Sequence, residues 1–346
     1  MRTIAQPQLD SSGEPKPVLE VDGLSVDIQT PKGMLHAVRD VSFSVGPGET
    51  LCIVGESGCG KSMTSLAIMG LLPASAQRRA RALRLGDLDL IQASSREVNA
   101  LRGNRMAMIF QEPMTALNPA YSIGEQLTEV YTHHRRASRS QARDRACELL
   151  GRVGIASASE RLDQYPHQLS GGLRQRVMIA MALMCGPELL IADEPSTALD
   201  VTIQAQILRL LAQLQRDLGI AMVLITHDLG VVAQVADRVC VMYAGQIVEQ
   251  GNADAVFRTP SHPYTRGLLS CVPVPGTTPP GSPLGTISGS VPSLVGPLSG
   301  CSFRDRCPNA INDCSQADIA WSENSKGHGW RCLQTERANV KTRAAS

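Results

Sequence analysis

The stretch with the clearest chemistry in this sequence is Gly55-Glu-Ser-Gly-Cys-Gly-Lys-Ser62, which fits the pattern G-x-x-x-x-G-K-S/T. Gly55, Gly58 and Gly60, with Ser57 among them, let the backbone curl so that successive N–H groups face phosphate oxygens at the positive end of a helix. Lys61 is placed to reach the β and γ phosphates, and the Ser62 hydroxyl to ligate magnesium. The ligands implied are a nucleoside triphosphate and Mg²⁺, and ATP follows from the resemblance below. A second acidic pair, Asp193-Glu194, closes the apolar run Leu189-Leu-Ile-Ala192. Such strand ends are where parallel sheets present their ligand sites. Asp193 is suited to hold Mg²⁺, and Glu194 to take a proton from an attacking water. An Asp-Glu pair after a strand is ordinarily a solvated strand end; beside a phosphate loop the nucleotide reading prevails.

These residues need a scaffold, and residues 18–258 supply the pattern of one, with short apolar strands alternating with helical segments. Strands are predicted at 50–54, 106–110, 189–192, 222–225 and 239–242. A helix is predicted from Ser62 to Leu72, stopped by Pro73. Residues 135–153 carry apolar residues at helical spacing (Ala142, Ala146, Leu149, Leu150) within a charged stretch, which predicts an exposed helical insert. Leu169-Ser-Gly-Gly-Leu-Arg-Gln-Arg176 opens a further apolar helix. Ser170 is suited to cap it, and Gly171 and Gly172 permit close backbone approach to an anion.

At this point the chain resembles the ATP-binding subunits of ABC transporters. The 169–176 stretch is similar to their signature motif, which implies that Ser170, Gly171 and Gly172 bind the γ-phosphate of ATP held by an opposing subunit. Other family elements stand in the family's order. Gln111 matches the Q-loop glutamine, which contacts Mg²⁺ and faces the membrane subunits. Ser196-Thr-Ala-Leu-Asp200 matches the D-loop, and Thr226-His227-Asp228 the H-loop, whose histidine contacts the γ-phosphate and orients the catalytic carboxylate. The resemblance implies an α/β fold of the P-loop NTPase type with a helical subdomain, and catalytic roles for Glu194, His227 and Gln111. Many members stack adenine on an early-strand aromatic, but residues 18–42 contain no Phe, Tyr or Trp. Base contacts are therefore expected to be aliphatic or to come from Met34 or His36.

Composition excludes several alternatives. A chain of 346 residues with 43% apolar and 19% charged residues has the make-up of an ordinary globular protein. Its formal net charge of +1 and 3% aromatic content give no reason to expect a nucleic-acid partner. A soluble ATPase of this family acting on ribosomes or DNA typically carries two cassettes or a basic insertion, and this chain shows neither. No apolar stretch approaches the ~20 residues that span a bilayer. Action from the cytoplasmic face of the inner membrane, as a peripheral subunit, is the expectation.

Residues 1–17 read as a polar tail. After the cassette, residues 259–300 read as a Pro/Gly-rich connecting segment: 13 of the 30 residues 271–300 are Pro or Gly. Residues 301–334 form a small irregular Cys-rich module, and 335–346 a second tail. Of ten cysteines, six are scattered and read as packed thiols, whereas Cys301, Cys307, Cys314 and Cys332 crowd together. Their C-x5-C-x6-C-x17-C spacing lacks the short knuckles of structural zinc sites. An iron–sulfur cluster fits better, with zinc or free thiols as the alternatives.

The stretch 111–126, Ser261-His-Pro-Tyr-Thr265 and the final cysteine module resemble one branch of the family, the oligopeptide and dipeptide importers. That resemblance implies a 4Fe–4S cluster on the four cysteines. It also implies a second ATPase subunit, expected to be a distinct chain, with two transmembrane permease subunits and an extracytoplasmic substrate-binding protein acting through them. Related systems carry nickel complexes or glutathione, so the cargo is not fixed by these residues.

Overall fold

The computed structural model describes residues 16–111, 116–196, 199–272, 285–296, 298–316 and 318–334. The two tails expected at 1–17 and 335–346 lie almost wholly outside them. The chain opens with long antiparallel strands β1 (Leu19–Thr30) and β2 (Gly33–Val45), followed by β3 (Thr50–Val54). Short strands β4 (Ala76–Arg79), β5 (Ala82–Leu85) and β6 (Leu88–Asp89) then complete a five-stranded antiparallel sheet with β1 and β2. The second sheet holds β3 with β7 (Met106–Ile109), β8 (Leu189–Asp193), β9 (Ala221–Ile225), β10 (Arg238–Tyr243) and β11 (Gln246–Asn252). Two-residue strands β12 (Ser322–Glu323) and β13 (Gly329–Trp330) extend its edge, giving the order β12-β13-β11-β10-β3-β9-β8-β7.

Strands β3, β8 and β9 are buried along their whole length, because both faces of a parallel sheet must be covered. Their alternation sorts the side chains into two cores. Leu51, Ile53, Leu189, Ile191, Val223 and Ile225 pack toward the antiparallel sheet. Cys52, Val54, Leu190, Ala192, Met222 and Leu224 pack toward the helices on the other face. Among those helices, Arg139–Arg152 buries Ala142, Ala146, Leu149 and Leu150, the face expected from their spacing. A Ser138/Gln141 capping box starts it, and Ser122/Glu125 starts its neighbour Ile123–Arg135. Each such cap stabilises its helix by about 1 kcal/mol.

Two expectations are corrected. The helix after the phosphate loop spans Lys61–Met69 and ends before Pro73, because Gly70 adopts a left-handed conformation (φ 64°) and its N–H closes the last turn onto Ala67 and Leu66. Residues 259–300 are also more than a connection. They contain the helix Pro263–Ser270, and Leu294–Gly296 pairs with β2 through His36 N–H to Leu294 O at 2.9 Å and Gly296 N–H to Met34 O at 3.1 Å. The last segment joins the main sheet as well, with Glu249 of β11 opposite Trp330 of β13. The fully buried Glu249 carboxylate there accepts from the Ser261 and His262 amides at 2.6 and 2.9 Å, and meets His328 Nε2 at 2.7 Å. No helix among the described residues is long and apolar enough to cross a membrane.

Candidate nucleotide site

Strands β3, β7, β8 and β9 run parallel and in register, with Ile53 beside Ile225, Ile225 beside Asp193, and Ala192 beside Ile109. Their C-terminal ends therefore form one edge. Gly55, Gln111, Asp193-Glu194 and Thr226-His227 each stand at or one to two residues beyond a strand end on that edge. Ser62 and Asp193, 131 positions apart in sequence, meet because the sheet aligns these ends.

The phosphate loop turns between β3 and the helix Lys61–Met69. Gly55 (φ 154°) allows the tightest approach, since a Cβ there would stand 2.2 Å from the Met242 carbonyl oxygen, and one on Gly60 (φ 105°) would stand 2.5 Å from that of Ala37. No side chain caps the helix, so its leading N–H groups are left for an anion. Lys61 Nζ folds back onto the loop, donating to Gly55 O at 2.8 Å and Glu56 O at 3.0 Å. Ser62 Oγ donates to Asp193 Oδ1 at 3.1 Å, and Ser65 Oγ reaches Asp193 Oδ2 at 3.4 Å. Asp193 is buried, and desolvation raises its carboxyl pKa above the ordinary value, opposed by the Ser62 hydroxyl and reinforced by the nearby Glu194 charge. A cation at the Ser62–Asp193 pair would relieve that cost. The chemistry of this donor set, a hydroxyl and a carboxylate, suits Mg²⁺.

Glu194 sits in the left-handed region (φ 45°), a conformation costing roughly 1–2 kcal/mol for an L-residue. This turn lifts its carboxylate off the strand end. Gln111 Nε2 donates to Glu194 Oε2 at 3.0 Å, and His227 Nδ1 stands 3.6 Å from the same oxygen. Asp228 faces away and caps the following helix through Gly230 and Val231 N–H. Ser57, Gly58, Gly60, Lys61, Ser62, Gln111 and Glu194 line one open cavity of about 280 Å³.

The remaining wall of this cavity is aliphatic: Ile28 and Leu35 from the paired strands β1 and β2, Ala37, Met63 and Leu294. Aliphatic side chains are one of the two kinds of contact expected for the base. Neither Met34 nor His36 lines the cavity, and the His36 ring is engaged by Asp27 at 2.6 Å. Leu294 was not expected from the sequence. It lies in a Pro/Gly-rich stretch with no local signal, and only its pairing with β2 brings it here.

Ser170, Gly171, Gly172 and Asp200 do not line the cavity. Ser170 caps the helix Gly171–Leu183 by accepting from Leu173 N–H. A Cβ on Gly171 would meet Leu199 at 3.4 Å and one on Gly172 would meet Ile203 at 3.1 Å, so the signature stretch lies against the chain around Asp200. Asp200 holds the N-terminal cap position of the helix Val201–Leu218 without a side-chain cap bond. Thr197 and Ala198 of the D-loop, and residues 112–115 after Gln111, lie outside the described residues.

Cys301, Cys307, Cys314 and Cys332 line a single small cavity with His262 and Phe303. The expected module is thus a meeting place for the four thiols, but it packs onto the main core through Phe303 rather than standing as a separate unit. No group of three or more His, Cys, Asp or Glu among the described residues is arranged to hold a metal ion. Burial, foremost, pushes the Cys301 thiol up to about 11 and also raises that of Cys307, which keeps both protonated as they stand.

Phosphate loop, hydroxyl–carboxylate pair and strand-end glutamate on one sheet edge define a phosphate-loop ATPase. Comparison with known proteins narrows this. Residues 38–197 match the family model for ABC transporter, and residues 248–314 match that for the oligopeptide/dipeptide transporter C-terminal region. The chain is 50% identical over 323 residues to the dipeptide transport ATP-binding protein DppD of Bacillus subtilis (strain 168), covering 93% of this chain and 96% of that one. It is 49% identical over 300 residues to the oligopeptide transport ATP-binding protein OppD of Salmonella typhimurium, covering 87% and 89%. Among solved structures, the bacterial ABC transporter cassette MJ0796, a dimer, superposes with TM-score 0.61 at 25% identity, over 68% of this chain and 98% of that chain. The chain belongs to the ABC transporter ATP-binding proteins, in the branch that carries the oligopeptide/dipeptide C-terminal region. Its enzymatic activity is ATP hydrolysis.

Proposed function

We propose that this chain powers the import of dipeptides or oligopeptides, working at the cytoplasmic face of the inner membrane with a second, distinct ATPase subunit. The observation that carries this reading is the joining of two features in one chain: the Lys61–Ser62–Asp193–Glu194–Gln111 edge, and a C-terminal region of the peptide-transporter type. Gly55, Ser57, Gly58 and Gly60 shape the loop that binds the phosphates, and Lys61 turns from its own loop carbonyls to the β and γ phosphates. Ser62, Asp193 and Gln111 would hold Mg²⁺, which when bound supplies positive charge against the phosphate oxygens. Glu194 accepts the proton of the attacking water, with Gln111 and His227 fixing its carboxylate.

Ser170, Gly171, Gly172 and Asp200 stand away from this cavity and are assigned to the γ-phosphate on the opposing subunit. Val201, beside them, leaves 83% of its surface exposed, an apolar side chain suited to cover by that partner. Phe110, just before the Gln111–Gln126 stretch, and Tyr121, within it, are 42% and 53% exposed and suit contact with two permease subunits. An extracytoplasmic binding protein delivers cargo to those permeases. In domain terms the cassette occupies 18–258, with 259–300 and 301–334 as its C-terminal extension.

Cys301, Cys307, Cys314 and Cys332 are assigned to a 4Fe–4S cluster with a structural role. Their shared cavity and all-thiol donor set support this, and a cluster's charge would draw the raised thiol pKa values down. Anaerobic purification is expected to give a brown protein with iron and acid-labile sulfide; a colourless protein with stoichiometric zinc would overturn the cluster.

Reconstitution with the partner ATPase, permeases and binding protein tests the transport role. Dipeptides or longer peptides should stimulate ATP hydrolysis and enter the vesicles. Stimulation by nickel complexes or glutathione alone would sink the peptide assignment while leaving the ATPase intact.

A further inference from the structure

The first residue inside the phosphate loop, Glu56, is held from outside the cassette at two points. Its N–H donates to Tyr264 Oη at 2.9 Å, and its carboxylate accepts a forked pair of bonds from Arg306 Nη1 and Nη2 at 2.6 and 2.9 Å. Both partners lie in the C-terminal extension, and Arg306 is 250 residues away in sequence. The Arg306 side chain is only 5% exposed and the Glu56 side chain 27%, so water screens the pair weakly. Nothing in the arrangement leaves Arg306 loose. Its remaining donors reach Ile287 O and Ser288 O at 3.0 Å, and Tyr243 Oη at 3.4 Å. Tyr243, Tyr264 and Phe303 pack beneath as a buried aromatic triad with ring centres 4.6 to 5.3 Å apart.

Glu56 in turn bears on the backbone of the loop and on its lysine. Its carbonyl oxygen accepts from Lys61 Nζ at 3.0 Å and from Cys59 N–H at 3.3 Å. A loop with Gly55, Gly58 and Gly60 loses much conformational entropy on being fixed for phosphates. A rigid grip on its leading residue removes part of that loss before the nucleotide arrives.

We propose that the C-terminal extension acts as a clamp on the phosphate loop, with Arg306 as a positioning residue that acts through Glu56 to pre-form the nucleotide site. The inference rests on the nucleotide reading of the loop. A forked, buried, charge-assisted pair is among the stronger hydrogen-bonded contacts, and Lys falls short of reproducing the planar fork. The clamp does not touch Glu194, Gln111 or His227. Its loss should therefore weaken ATP binding and leave turnover at saturation nearly unchanged.

The test uses the assembled transporter with MgATP, comparing Arg306→Gln, Glu56→Gln, the double variant and Arg306→Lys, with Lys61→Ala as reference. Each single Gln variant should raise the ATP KM about tenfold, with kcat within about twofold of wild type. The double variant should be no worse than either single, because both remove the same bond. Arg306→Lys should recover part of the loss. If Arg306→Gln fails to fold, Glu56→Gln, which conserves volume, carries the test alone. An unchanged KM in the foldable variants overturns the clamp, as does a double-variant effect equal to the product of the singles. Loss of nucleotide binding in Lys61→Ala alone would locate the failure in the clamp; no loss even there would locate it in the nucleotide reading itself.

Discussion

Replacing Glu194 by Gln isolates the proton-accepting step from everything else the residue does. The side chain keeps its size, and an amide oxygen can still accept the bond from Gln111 Nε2 that the carboxylate now accepts at 3.0 Å. The left-handed backbone at φ 45° costs Gln what it costs Glu, so folding should be unaffected. What disappears is the basic oxygen. A positioned general base contributes about 10²–10⁴ in rate, so kcat should fall by that factor, roughly 3–5 kcal/mol of barrier. Binding should move the other way. The Glu194 charge is one of the influences holding the buried Asp193 carboxyl above its ordinary pKa, and removing it makes Asp193 easier to ionise. The ATP KM should therefore stay level or fall. Phosphate release from the assembled transporter, over a range of MgATP concentrations, measures both parameters. A kcat within about fivefold of wild type would refute Glu194 as the base, and a tenfold rise in KM at normal kcat would make it a binding residue instead.

Two further outcomes follow from the extension. His262 is wholly buried, and burial pushes its ring pKa down to about 4, with Nδ1 accepting from Tyr264 N–H at 3.0 Å. The folded protein thus binds this proton more weakly than the unfolded chain. Stability is full above the ordinary histidine range near 6.5 and is lost as pH falls toward 4, by at most about 3 kcal/mol. His262→Asn, which keeps a capping acceptor, should flatten that acid limb in urea titrations between about pH 7 and 4.5; parallel curves for the two proteins would exonerate His262. Leu294→Ala strips three carbons from the cavity wall. At about 0.8 kcal/mol per buried carbon, of which the base shares a part, the ATP KM should rise roughly five- to thirtyfold. GTP should suffer equally, since an aliphatic wall reads shape and not hydrogen-bonding edge; an unchanged KM would remove Leu294 from the site.

The parallel strands were legible because each is a short apolar run fully covered on both faces, as at Thr50–Val54 and Leu189–Asp193. The phosphate loop and its acidic partners were legible because their chemistry is local in sequence. Leu294 was not, since a leucine among prolines and glycines carries no periodic signal and gains its place only by pairing with β2. Strands β12 and β13 are two residues each, too short for alternation to register. Arg306 likewise is one of three charged residues between Cys301 and Cys307 and carries no signal of its own. Its partner lies 250 residues upstream, beyond the reach of any local pattern.

The same separation orders events in time. Loop-closure entropy makes contacts this distant the slowest to form, and the chain emerges from synthesis N-terminus first. The phosphate loop and its helix are made early, yet Tyr264, Leu294 and Arg306 reach them only after most of the polypeptide exists. A growing chain therefore carries a phosphate loop that its later contacts have yet to hold, and the grip on Glu56 is among the last to close.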